Sequence, residues 1–161
     1  MGPSVGAETG SARARRARVL VRCTGNSCRL QMAEGWIRAV AGDRFEVASA
    51  GTRPAAAVSP LAVRAMAEVG IDISSATPKC VDRFTGDRWD LVVTVCDSAA
   101  ETCPFFPEKV ERLHVSFPDP AGASGTKGER IVAFRAVRDD IRFRLVPTLL
   151  RWATARGERR E

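Results

Sequence analysis

The chain has 161 residues, enough for one domain with a substantial core and too few for two typical ones. Hydrophobic residues make up 45% and charged residues 27%, a balance that excludes fibrous and wholly disordered classes. The longest apolar runs, such as Leu91-Val92-Val93, are far too short to span a bilayer, and the net charge of +6 comes with no nucleic-acid motif or aromatic-basic interleaving.

Residues 1–16 are rich in Gly, Ala, Ser and Arg and show no periodicity, which reads as a disordered basic tail. The start lacks the apolar core of a secretory signal, so a cytoplasmic protein without membrane attachment is expected. The run Arg18-Val19-Leu20-Val21-Arg22 predicts a short buried strand. A small, polar stretch, Cys23 to Arg29, follows. Leu30, Ala33, Ile37 and Val40 then recur at helical spacing until Gly42. A second strand is predicted over 44–49. Ser59 and Pro60 open a helix whose inner face is Leu61, Ala65, Met66 and Val69, ended by Gly70. Residues 91–96 are apolar enough for a central parallel strand. A looped segment, 97–109, leads to a fourth short strand over 112–115. The last helix starts near Gly128 and Glu129 and buries Ile131, Phe134, Val137, Ile141 and Leu145, and Pro147 should end or kink it. This order predicts an α/β single domain over 17–153: a doubly wound, four-stranded parallel sheet with helices on both faces. Residues 154–161 read as a charged C-terminal tail.

There are five cysteines, at 23, 28, 80, 96 and 103, and without an export signal they should be reduced at rest. There is no C-x-x-C pair and His114 is the single histidine, so a closed zinc site is not expected. Cys80 and His114 carry no evident chemistry. The spacing of Cys23 and Arg29 does. Five small residues between them, Thr24, Gly25, Asn26, Ser27 and Cys28, can curl so that their N–H groups converge on one point. The following helix adds the positive end of its dipole, and Arg29 offers a planar fork to a tetrahedral oxyanion. The same field should make Cys23 a thiolate nucleophile. C-x5-R recurs by chance, but between an apolar strand and an amphipathic helix it is specific. Asp119, in Phe117-Pro118-Asp119-Pro120, is either a turn or cap residue or a general acid.

Cys23-Thr24-Gly25-Asn26-Ser27-Cys28-Arg29 with Gln31 to Gly35 resembles the active-site signature of thioredoxin-coupled arsenate reductases of the low-molecular-weight protein tyrosine phosphatase-like family. Ser49-Ala50-Gly51-Thr52, Ile71-Asp72-Ile73-Ser74 and Val95-Cys96-Asp97 through Cys103-Pro104 also resemble that family, and the likeness covers roughly residues 17–150. The resemblance implies that Asp119 is the general acid and that Cys28 is structural. It implies a relay. Cys23 attacks arsenate, Cys96 attacks Cys23 to release arsenite, and Cys103 moves the disulfide outward to Cys96, where thioredoxin reduces it. Phosphate and sulfate would compete for the loop. No cofactor, specific nucleic acid or second subunit is implied. If 97–103 were helical in the reduced protein, the two cysteine α-carbons would stand about 10.5 Å apart. A disulfide tolerates less than about 7 Å, so the segment would have to rearrange on oxidation.

The sequence departs from the family in two places. The family usually has Ser after the arginine, where this chain has Leu30. Losing that hydroxyl's hydrogen bond to the thiolate should cost roughly 1.5–3 kcal/mol. In some relatives a potassium ion sits where Asn26, Glu34 and Ser49 match its ligands, but the further acidic residue is replaced by Lys79, whose ammonium could take the cation's place. No metal is therefore expected. The competing readings are a tyrosine phosphatase, which would not need Cys96 or Cys103, and a non-catalytic oxyanion or redox sensor.

Overall fold

The computed structural model describes residues 16–23, 27–51, 57–84, 86–95 and 110–160. Four strands form one sheet: β1 (Ala17–Cys23), β2 (Phe45–Gly51), β3 (Leu91–Thr94) and β4 (Glu111–His114). Their order is β2-β1-β3-β4 and every pairing is parallel; the central strands β1 and β3 are largely apolar and buried, whereas the edge strand β4 is polar and largely exposed. The register pairs Val21 with Ser49 and with Val93, and Cys23 with Gly51.

Successive residues of each strand feed opposite sides. Val19, Val21, Phe45, Val47, Leu91 and Val93 join the main core, while Leu20, Ala50 and Val92 join a smaller one with Val81 and Trp89. The main core lies under α1 (Ser27–Ala41), α2 (Pro60–Ala67), α3 (Lys127–Asp140) and α4 (Val146–Arg160). On the smaller core sits a 3-10 helix, Val81–Phe84, with Phe84 edge-on to Trp89 at 5.7 Å. Helical structure thus covers both faces, unequally among the described residues.

Several expectations shift. In α1, Val40 points outward, and Ala41, four residues beyond Ile37, takes the inner position. Gly42 follows at once, where a Cβ would come within 2.5 Å of the Arg38 carbonyl oxygen. Val69 is exposed because α2 has already ended at Ala67, and Gly70 turns the chain with φ +83°. All five positions predicted to be buried from Ile131 to Leu145 are buried. Pro147 does not end the helical run. The backbone widens into a π turn, Ile141–Leu145, and resumes as α4. Residues from 154 on continue α4 to Arg160, and Arg156 donates to Asp90 Oδ1 at 2.8 Å, so this stretch is helix rather than tail.

Candidate active site

β1 is a central strand and delivers Cys23 to its carboxyl end; α1 begins four residues later, so the thiol faces a helix N-terminus. Cys23 is 1% exposed. Arg29, in the first turn of α1 and 3% exposed, folds back so that Nη2 lies 3.3 Å from Cys23 Sγ. Its Nη1 donates to the Phe117 carbonyl at 2.9 Å. Its Nε is buried without a protein hydrogen-bond partner. A buried guanidinium N–H left open beside a thiol suits an oxygen of a bound oxyanion.

The Arg29 bond to Phe117 also anchors the segment that carries Asp119. Asp119 caps the 3-10 helix Pro120–Gly122, and its Oδ1 accepts from Ala121 N at 2.9 Å. The turn-residue reading of Asp119 is met by this cap. Its charge reaches the oxyanion loop, where it helps burial push the Cys28 thiol up to about 11. Cys28 is consequently a neutral thiol at physiological pH, and a poor competitor for the electrophile that Cys23 would attack. Ser59 was expected to cap α2. It holds the cap position, but its side chain makes no capping bond and instead hydrogen-bonds Cys28. Sequence reasoning missed this contact, because Ser before Pro at a helix start has the local signature of a cap.

Cys23, Cys28, Arg29 and Asp119 are thus brought together. Thr24, Gly25, Asn26, Cys96 and Cys103 lie outside the described residues, as does the expected rearrangement of 97–103; of Ser27 only the backbone is described. Leu30 is 3% exposed and belongs to the main core. Cys80 forms a lone bridge with Gly51 at the end of β2, and His114 Nδ1 pairs with Thr94 Oγ1 at 2.6 Å.

Near the loop, the buried Glu34 is engaged through Oε1 by the Ser49 hydroxyl and through Oε2 by Arg38. Lys79 instead donates to the Thr77 carbonyl at 3.2 Å. The cationic partner of Glu34 is therefore Arg38, not the lysine expected. Each carboxylate oxygen of Glu34 thus has a protein partner. The signal was present in the sequence, since Glu34 and Arg38 stand at i and i+4 on one helix.

Comparisons with known proteins agree with this geometry. Residues 18–152 match the model of the low molecular weight phosphotyrosine protein phosphatase family. A protein named arsenate reductase from Halalkalibacterium halodurans is 51% identical over 123 residues, covering 76% of this chain and 88% of that protein. A solved structure of an arsenate reductase in the phosphate binding state superposes with a TM-score of 0.71 at 30% identity, covering 84% of this chain and 98% of the other. The thioredoxin-dependent arsenate reductase Cg_ArsC1' of Corynebacterium glutamicum aligns with a TM-score of 0.54 at 25% identity, over 86% of this chain and 70% of its own. With a buried thiol at a strand end, an arginine folded back onto it and matches along most of its length, the chain belongs to the arsenate reductases of the low molecular weight phosphotyrosine protein phosphatase family.

Proposed function

We propose that this protein reduces arsenate to arsenite with electrons from its own thiols, in the cytoplasm and as a monomer, and that a thioredoxin-like dithiol restores it. The observation that carries the reading is the Cys23 and Arg29 pair, with Sγ and Nη2 at 3.3 Å and Nε left for an oxyanion oxygen. The identity to arsenate reductases along nine-tenths of their length points the same way.

Arsenate enters the loop formed by Thr24, Gly25, Asn26, Ser27 and Cys28, where converging N–H groups and Arg29 compensate its charge. Phosphate or sulfate would compete for the same donors. The Cys23 thiolate attacks arsenic, and one oxygen leaves as water after taking a proton from Asp119. The Cys96 thiolate then attacks the Cys23 sulfur. The S–As bond breaks, its electron pair stays on arsenic, and arsenite departs with a Cys23–Cys96 disulfide left behind. Cys103 attacks Cys96 and frees Cys23, which leaves a Cys96–Cys103 disulfide for the external dithiol. Two thiols are oxidised for each As(V) reduced to As(III), so the electrons balance.

The test is arsenate-dependent NADPH consumption with thioredoxin and its reductase. The parent should turn over. Cys23→Ser and Cys96→Ser should both reduce the rate to background, and Cys103→Ser should permit at most one turnover per molecule. Sustained turnover by Cys96→Ser would contradict the relay.

A further inference from the structure

The segment that carries Asp119, residues 115–119, has no regular secondary structure, yet it must hold a carboxylate in place. Its backbone extends β4 only briefly, with Val115 N donating to the Thr94 carbonyl at 3.0 Å and Phe117 N to that of Val95 at a long 3.4 Å. What fixes it further is a pair of guanidiniums on successive carbonyls. Arg29 Nη1 holds the Phe117 carbonyl at 2.9 Å, and Arg144 Nη1 holds the Ser116 carbonyl at 3.1 Å. Arg144 also lies over the buried Phe117 ring, 4.9 Å from its centroid, and is oriented by Asp140 Oδ2 at 2.8 Å. Arg144 therefore grips the segment in two ways, through the Ser116 carbonyl and the Phe117 ring, while Asp140 orients it.

Its placement depends on the π turn. Ile141–Leu145 widens the helix just before Pro147, the residue that could not have donated an α-helical bond. The turn keeps Ile141 and Leu145 in the core while Arg144 leans onto the acid segment. A π turn at this point costs helix regularity, and isolated π turns recur at functional sites.

We propose that Arg144 is a positioning residue for the proton-transfer step: by clamping Ser116 and Phe117 it sets where the Asp119 carboxylate stands over the Cys23–Arg29 pocket. This rests on the reading of Asp119 as proton donor. It assigns the π turn and its arginine a part in the reaction although neither touches the reacting atoms. A primary amine can still donate to the Ser116 carbonyl, but it lacks the planar face for the Phe117 ring, so lysine should substitute in part.

The experiment is steady-state arsenate reduction by Arg144→Gln, Arg144→Lys, Asp119→Asn and the double variant Arg144→Gln/Asp119→Asn, with the alkylation rate of Cys23 measured in each. Arg144→Gln should lower kcat about tenfold while leaving arsenate KM and Cys23 alkylation near the parent values. Arg144→Lys should recover part of that loss, and adding Arg144→Gln to Asp119→Asn should cost nothing more. A parent-like kcat for Arg144→Gln beside a crippled Asp119→Asn would overturn the positioning role alone. So would an equal further loss in the double variant, or a fall in Cys23 alkylation, which would mark general damage to the fold. A fully active Asp119→Asn would overturn the proton-donor reading, and the proposal with it.

Discussion

At the scale of single residues, the site separates two thiols five positions apart by environment. Cys23 meets a guanidinium and a helix N-terminus, whereas Cys28 is buried facing the Asp119 charge and held up near 11 as a neutral thiol. The two thiols thus sit in opposite electrostatic surroundings, as the proposed division between a nucleophile and an inert neighbour requires. Leu30 follows from the same geometry. It is a core residue, so hydrophobic packing occupies a position from which a serine hydroxyl could have served the thiolate. Leu30→Ser should therefore trade stability for reactivity. We expect a loss of about 2–4 kcal/mol in urea unfolding from the vacated core volume. Alkylation of Cys23 by iodoacetamide at pH 7 should at the same time accelerate about three- to tenfold. Slower alkylation together with lost stability would show that Leu30 supports the loop by packing and that a hydroxyl adds nothing.

Between elements, α2 and α3 are joined by a charged clamp rather than by apolar contact alone. Glu68, just past the end of α2, accepts two hydrogen bonds from Arg135 at 2.9 and 2.7 Å and a third from Arg138 at 3.0 Å. Arg138 also donates to the Ala65 carbonyl, and the Arg138 carbonyl receives the Trp36 indole N–H of α1. The Arg135 hydrogen bond is the main reason that the Glu68 carboxyl falls from 4.5 to about 2. A folded-state value below the unfolded one stabilises the fold above about pH 4.5, and that contribution is lost as the pH falls towards 2. Glu68→Gln should flatten the dependence of melting temperature on pH between 5 and 2; an unchanged slope would mean that other carboxylates govern acid unfolding. Elements of this kind differ in how far the sequence reveals them. The α3 and π-turn residues Ile131, Phe134, Val137, Ile141 and Leu145 keep one buried face, so periodicity located them. Pro147 announced an irregularity but not its form, because whether a helix breaks, kinks or widens depends on the packing on either side of the proline. Val40 and Val69 misled because both lie at helix ends, where the period stops before the apolar residues do.

Across the whole molecule, the parallel strands run towards one end, where Cys23 and the Asp119 segment lie. Cys23 ends β1, Asp119 follows β4, and Cys96 and Cys103 follow β3 in sequence. The alternation of strand and helix made that end legible from the chain alone, and C-x5-R picked out the thiol and the arginine that meet there. Contacts over long sequence separations were not legible. Nothing local in Phe117 or Ser116 foretells the arginines 88 and 28 positions away that hold their carbonyls. The opposite end of the sheet is tied down by the C-terminal helix, through Arg156 to Asp90 and the Trp152 indole N–H to Glu111. The fold thus fixes the amino end of the sheet, opposite the end that carries Cys23.

The proposed passage of electrons from thiol to thiol in a set order is tested most directly by a trapping experiment. Cys103→Ser protein, fully reduced and freed of external thiol, is given one equivalent of arsenate, quenched in acid and mapped by mass spectrometry of its peptides. A single disulfide joining Cys23 to Cys96, with one arsenite released per molecule, is the predicted result. Arsenite released with those two cysteines still free, or with the bridge formed to Cys28 or Cys80, would contradict the relay.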